Sequence, residues 1–301
     1  MYRVGKFLQP ILNLSIMKKV ILSAIALTIG AVSFAQVGNS GTVTQTGNNN
    51  AGVVTQTGDE NTATITSEGN NFKNNISKYG VWRTAGASGT MMAHGITQEG
   101  NKNQGTITQA GYVGVTSGSG SAGIGQDGNE NKATITQSEF LVHGWSGSNA
   151  AFVDQIGNEN ESLQNQTGRA GNSYFRQAGN ENYAESQQNS QSTAKLEQEG
   201  NNNYSLQTQG VGNLQKSDTY QLGDDNRATS DQSGGMSNLS TILQDGNTNI
   251  AGVTQFGVTN TGTITQTGDN NEGMITSNGT NHLGGIVQSG AMNEAVITQN
   301  Q

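Results

Sequence analysis

Residues 244–271 read QDGNTNIAGVTQFGVTNTGTITQTGDNN, a stretch in which Gln244, Gln255 and Gln266 recur every eleven residues and each opens the same six-residue phrase, QxGxxN. The step continues through Ser277, where Ser replaces Gln, to Gln288 and Gln299; Gln155, Gln166, Gln177 and Gln188 keep it too. Between Gln209 and Gln221 it slips by one residue, which a turn absorbs without disturbing its strands. Intact copies of QxGxxN occur twelve times, far more often than chance allows, so the chain is an internal repeat before it is anything else. The copies are Gln45/Gly47/Asn50, Gln56/Gly58/Asn61, Gln98/Gly100/Asn103, Gln126/Gly128/Asn131, Gln155/Gly157/Asn160, Gln177/Gly179/Asn182, Gln244/Gly246/Asn249, Gln255/Gly257/Asn260, Gln266/Gly268/Asn271 and Gln288/Gly290/Asn293, with two more beginning at Gln198 and Gln221.

From each Asn to the next Gln, residues alternate. Asn61, Ala63, Ile65 and Ser67 share one face and Thr62, Thr64 and Thr66 the other; Asn131, Ala133, Ile135 and Gln137 alternate in the same way with Lys132, Thr134 and Thr136. A period of two is the signature of a β-strand, here about seven residues long. Gly at the third motif position supplies the backbone freedom of a tight turn, and Asp59, Glu60, Glu130, Glu159 and Asp269 fall in the exposed turn that follows. Strand, turn and strand make a unit of about 22 residues, too small to bury its own face, so units must stack. About twenty-one half-units are recognisable, hence roughly ten coils and, at about 4.8 Å per rung, a β-solenoid on the order of 50 Å long. Stacking sets Gln over Gln and Asn over Asn, where side-chain amides form hydrogen-bonded ladders along the axis. Gln45, Asn50, Gln56, Asn61 and their counterparts above, up to Gln299, are the expected ladder residues, and Gly47, Gly58 and their counterparts the expected turn glycines.

Composition agrees with a polar interior. Only 31% of residues are hydrophobic, 12% are charged and 43 are glycine, so an ordinary oily core is not expected. There is no cysteine, hence no disulfide and no thiolate chemistry. At the N-terminus Lys18 and Lys19 precede an apolar run from Val20 to Val32, and Ser33, Phe34 and Ala35 form a small-x-small cleavage site before Gln36. Residues 1–35 therefore read as a leader and secretory signal peptide, with Met17 a plausible start, and residues 36–301 as the exported repeat. No segment reaches the roughly 20 apolar residues of a spanning helix. The leader contains Arg3, Lys6, Lys18 and Lys19 but no acid, so its removal takes the net charge from −8 to −12 (four cations fewer), which disfavours nucleic acid as a partner. Pro10, the only proline, also leaves with it. Stretches near 81–95, 112–124 and 139–151 break the rhythm and hold Trp82, Trp145, His94 and His143; they are expected to be loops extruded from the solenoid at its turns.

The pattern Gln-x-Gly-x-x-Asn-x-Ala-x-x-x-Gln resembles the curlin repeats of curli fibre subunits over most of Gln36 to Gln301, most closely at Gln56–Ser67, Gln126–Gln137 and Gln288–Gln299. The resemblance implies a β-solenoid subunit that passes an outer-membrane secretion pore and assembles, with a nucleator subunit, into a functional amyloid homopolymer of the biofilm matrix. Gly171, Thr193 and His282 stand where the repeat expects Asn. Catalysis is not expected: His94, His143 and His282 lack a recognisable Ser, Asp or Glu partner, no HExxH or nucleotide-binding loop occurs, and no cofactor or metal is implied. The rival reading is a monomeric ice-binding or adhesin solenoid using outward TxT pairs, namely Thr42/Thr44, Thr64/Thr66, Thr106/Thr108, Thr134/Thr136 and Thr263/Thr265. Against that array stand Lys132, Glu272, Met274, Glu294 and Val296.

Overall fold

The computed structural model describes residues 37–46, 50, 52–68, 95–110, 121–138, 149–168, 170–189 and 191–300. The leader and Gly47 lie outside these residues, as do Trp82, Trp145, His94 and His143. Twenty-one strands form two parallel sheets. The first holds the odd-numbered strands β1 (Ser40–Thr46), β3 (Thr62–Glu68), β5 (Gln104–Ala110), β7 (Lys132–Ser138), β9 (Glu161–Thr167), β11 (Tyr183–Gln188), β13 (Tyr204–Gln209), β15 (Arg227–Ser233), β17 (Ile250–Val258), β19 (Glu272–Thr280) and β21 (Glu294–Asn300). The second holds β2 (Val54–Thr57), β4 (Gly95–Glu99), β6 (Ser121–Asp127), β8 (Ala150–Ile156), β10 (Asn172–Ala178), β12 (Ser192–Glu199), β14 (Gln215–Leu222), β16 (Leu239–Asp245), β18 (Thr261–Thr267) and β20 (Leu283–Ser289). Each strand pairs with the strand two places on, so successive half-units alternate between sheets and the chain winds as a β-solenoid.

Inward and outward faces alternate along every strand. In β7, Ala133, Ile135 and Gln137 are buried while Lys132 is exposed and Thr134 and Thr136 are half-buried. The apolar interior is a file of Ile, Val and Ala from Ala63 to Val153 and another from Ala228 to Ile286, with Phe175, Ala184, Ala194 and Leu196 between them. Burying one branched aliphatic side chain contributes about 1.5–3 kcal/mol, so the interior depends on repetition rather than on any one large residue.

The two columns of turns differ. From an even strand to the next odd strand the turn is invariant: Gly58, Gly100, Gly128, Gly157, Gly179, Gly200, Gly223, Gly246, Gly268 and Gly290 stack with φ above +100°. A Cβ on Gly157 would overlap the carbonyl oxygen of Gly179 in the next coil, so close stacking as well as φ demands glycine there. The residue before the inward Asn takes a left-handed conformation although it is never glycine, as at Glu130 (φ 57°) and Thr248 (φ 58°).

Turns from odd to even strands vary in length. Segments 69–94, 111–120 and 139–148, where extruded loops are expected, lie outside the described residues; each connects an odd strand to the following even one. Their far bounds lie earlier than expected: Gly95, Ser121 to Ile124, Ala150 and Ala151 belong to β4, β6 and β8, because the strand register resumes there. The expected Asn position at Thr193 is likewise corrected to Ser192. The turn after Gln188 is one residue shorter than the eleven-residue step requires, and Thr193 pairs with Asn172 as the first outward residue of its strand.

Candidate functional site

The inward amides form columns on both sheets. On the second sheet Gln56 Nε2 donates to Gln98 Oε1 (2.9 Å), and the chain of donors runs on through Gln126, Gln155, Gln177, Gln198, Gln221, Gln244 and Gln266 to Gln288, each bond 2.8–3.0 Å. Every donor points the same way, from the N-terminal coil towards the C-terminal one. Each Nε2 also donates across the interior to the first outward residue of the preceding odd strand, as Gln126 does to the Gln104 carbonyl (3.1 Å) and Gln266 to that of Ile250 (2.9 Å). One amide thus ties coil to coil and sheet to sheet. Buried amides of this kind are satisfied on both sides, the condition under which a polar interior is tolerated.

The first sheet carries a second glutamine column. Gln109, Gln137, Gln166, Gln188, Gln209, Gln232 and Gln255 are linked by bonds of 2.7–3.2 Å. Serines substitute within it: Ser67 donates to Gln109 Oε1 (3.2 Å) and Ser277 to Gln299 Oε1 (3.1 Å). Gln45, Gln255 and Gln299 therefore belong to this column, and Gln255 stacks over Gln232 and Ser277 rather than over its sequence neighbours in the repeat, Gln244 and Gln266. Gln109, Gln166, Gln209 and Gln232 are not followed by a complete QxGxxN phrase, but the eleven-residue step from Gln98, Gln155, Gln198 and Gln221 marks them.

Asparagines lock the glycine turns. Asn61, Asn103, Asn131, Asn160, Asn182, Asn203, Asn226, Asn249, Asn271 and Asn293 form one column. In it each Oδ1 accepts the backbone N–H of the next Asn (2.9–3.1 Å), beginning from Asn39 below Asn61 (2.8 Å). Each Nδ2 up to Asn271 donates to the turn-glycine carbonyl of the next coil, as Asn131 does to Gly157 (2.7 Å) and Asn249 to Gly268 (2.7 Å). The opposite corner has a discontinuous set. Asn50 donates to the Thr46 carbonyl (3.1 Å), and Asn238, Asn260 and His282 are linked through backbone N–H groups. His282 takes the Asn place with a ring nitrogen 3.1 Å from the Asn278 carbonyl. Gly257 sits in this corner, in register with Gly279.

The outer faces carry the charge. Lys132–Glu161 (2.6 Å) and Lys102–Glu130 (3.4 Å) join neighbouring coils, and Tyr183 stacks on Tyr204 (5.1 Å between ring centres), which lies under Arg227 (4.5 Å). These are exposed ladders of small individual weight. Among the described residues no three His, Cys, Asp or Glu side chains are grouped to hold a metal ion, and no helix is long and apolar enough to cross a membrane.

A parallel two-sheet solenoid whose interior is laddered by Gln and Asn is a structural repeat protein. The family model of the curlin associated repeat matches residues 38–69 and 235–268, and these two matches support assigning the repeat to the curlin type. None of the curated proteins compared matches the chain.

Proposed function

We propose that the chain is the subunit of an extracellular curli-like amyloid fibre, in which copies add end to end through their terminal strands. The observation that carries this reading is the state of the last coil. Among the described residues β20 and β21 pair on one side, with β18 and β19, and in β21 the inward Ala295, Ile297 and Gln299 are half-buried where their counterparts in earlier coils are buried. An unpaired parallel strand with an inward amide and two inward apolar groups is a template for another strand of the same pattern. Acids in the turns, such as Glu130, Glu159 and Glu181, oppose side-to-side clumping and leave the ends clear. The reading includes export through a cleaved leader ending at Ala35, passage through an outer-membrane pore, a nucleator subunit as partner, and a role in biofilm matrix and surface adhesion. The amide columns carry stability and register in it. Fibre diffraction and thioflavin fluorescence on the chain from Gln36 test it: a meridional reflection near 4.8 Å with growth accelerated by seeds is expected. A persistently soluble monomer refutes it.

A second reading has its own observation. Thr42, Thr64, Thr106 and Thr134 form one outward column on the first sheet and Thr44, Thr66, Thr108 and Thr136 the next, paired residue by residue. Lys132 lies at the first strand position, outside both columns; Leu163 and Asn165 end them. Such a regular hydroxyl array suits an ordered water lattice or another hydroxylated surface. Inhibition of ice recrystallisation by the soluble chain, abolished by Thr106→Lys, is its expected result, and no inhibition refutes it.

A further inference from the structure

The third inward position of the first sheet reads, coil by coil, Val43, Ile65, Ile107, Ile135, then Gln164, Ser186, Gln207, Ser230, then Val253, Ile275, Ile297. Four successive coils replace a branched aliphatic side chain by amide, hydroxyl, amide and hydroxyl, and all four are buried. Serine enters the second inward position over the same span, at Ser162 and Ser205 on the first sheet, alternating with Ala184 and Ala228, and at Ser173, Ser217 and Ser240 on the second, where Ala194 is retained. These coils separate the two long apolar files of the interior.

Their polar atoms are not satisfied by protein. The hydroxyls of Ser162, Ser173, Ser186, Ser205, Ser217, Ser230 and Ser240 and the amide oxygens of Gln164 and Gln207 are buried without a protein hydrogen-bond partner. The amide nitrogens are committed elsewhere, Gln164 to the Phe152 carbonyl (2.9 Å) and Gln207 to the Lys195 carbonyl (2.8 Å) and Thr219 Oγ1 (3.0 Å). Ser67 and Ser277, buried in the apolar halves, both donate to glutamine oxygens, so orphaned hydroxyls are peculiar to the middle coils. So many unpaired buried groups confined to one stretch require a partner that is not protein. Where Ser alternates with Ala, hydroxyls of one column are two coils apart, about 9.6 Å, too far to bond each other directly. On the second sheet the same position holds Phe175, Leu196, Thr219 and Ile242, so the polar lining lies on the first-sheet side of these coils. Asp218 and Asp231 sit at outward strand positions, so among the described residues of these coils no inward carboxylate is present to balance a cation. Small neutral molecules that both donate and accept fit this lining.

We propose that the interior of coils β9–β16 binds a file of water molecules held by these serine hydroxyls and by the amide oxygens of Gln164 and Gln207. The site belongs to a single chain and goes beyond the fibre reading: it holds water whether the chain stays monomeric or polymerises. The water lets a polar block replace the aliphatic file without orphaned groups.

Water-edited solid-state NMR on the full chain, labelled with 13C-serine, tests it. Magnetisation from water is expected to reach Cβ of Ser186, Ser205 and Ser230 as fast as it reaches exposed Ser289, while Ser67 and Ser277 lag. If the three middle serines lag with Ser67 and Ser277, the interior is dry and the proposal fails. Ser186→Ala and Ser230→Ala give an independent sign. With bound water each lowers the melting temperature by a few degrees, because a water loses its anchor. A rise in melting temperature means that a dry orphaned hydroxyl was removed, and overturns the proposal.

Discussion

Replacing Gln266 by Leu removes three hydrogen bonds at constant bulk: its donations to Gln288 Oε1 (2.9 Å) and the Ile250 carbonyl (2.9 Å), and its acceptance from Gln244 (3.0 Å). Gln244 keeps the Arg227 carbonyl, but Gln288 Oε1 loses the donor that Gln266 supplied. Net loss of about 1 kcal/mol per bond and about 1–3 kcal/mol for a stranded buried acceptor oppose roughly 1.5–3 kcal/mol from burying leucine. The balance is about 2 kcal/mol of destabilisation. Thr265→Leu, one residue away on the outward face, is expected within about 0.5 kcal/mol of neutral. A stacked array opens locally rather than as a whole, so hydrogen exchange of the β18 amides is the suitable assay. At a factor of ten per 1.4 kcal/mol, Gln266→Leu lowers their protection by about 30-fold and Thr265→Leu by less than about threefold. Equal losses from both substitutions would refute the assignment of the amide column as the source of stability. Substituting Gln244, Gln266 and Gln288 together gives less than three times the single effect, because partners disappear in pairs.

Other consequences are equally direct. Gly157→Ala forces a Cβ against the Gly179 carbonyl at positive φ and is expected to destabilise by more than about 2 kcal/mol, whereas Gly285→Ala, with open space around its Cβ position, changes the urea midpoint little or raises it. Thr248 is β-branched in a left-handed conformation (φ 58°), so Thr248→Gly raises thermal stability by about 1 kcal/mol; a fall shows that the threonine side chain holds the turn. Burial raises the Asp154 carboxyl above its ordinary range, with Arg176 opposing and Asp127 reinforcing; burial raises Asp231 as well. The folded chain therefore holds these protons more tightly than the unfolded chain, so the contribution of these two groups to stability is fully present below 3.8 and is lost as pH rises through the raised values. Asp231→Asn flattens that slope in urea titrations at stepped pH; an unchanged slope refutes the assignment. Mass spectrometry of the exported chain is expected to find Gln36 at its N-terminus, and retention of Lys18 and Lys19 rules out cleavage after Ala35.

The sequence displays the strand period openly, because Thr64, Thr66, Thr134 and Thr136 mark one face while Ile65 and Ile135 mark the other, and each coil repeats the contrast. It displays the glycine turns for a similar reason, since a left-handed, closely stacked position admits one residue type. It is less explicit about which half-unit belongs to which sheet. Gln255 and Gln266 look equivalent along the chain, yet lie in different columns, because one coil contains two half-units and only three-dimensional winding separates them. The second glutamine column is marked by the eleven-residue step more than by the phrase, because Gln109 keeps Gly111 but has Gly114 at the Asn position, and Gln137 has Glu139 and Val142 at the Gly and Asn positions. The polar block from Gln164 to Ser230 also escaped the periodicity argument, since alternation reports which face is inward and not what the inward face holds.

The unequal turns explain how one repeat tolerates such irregularity. On the glycine side, each Asn fixes the next coil twice, through its Oδ1 to a backbone N–H and its Nδ2 to a glycine carbonyl, so a length change there would break a continuous column. On the opposite side the column is interrupted at Gly171, Ser192 and Gln215, and no unbroken chain of amides spans the coils. That edge accepts a turn one residue short after Gln188, one residue long after Gln209, and three insertions, while strand pairing on both sheets stays in register. Register is thus held from one edge, which frees the other to vary. Differences of segment length at that edge leave the pairing of the flanking strands unchanged, because the register they rejoin is fixed coil to coil at the glycine edge.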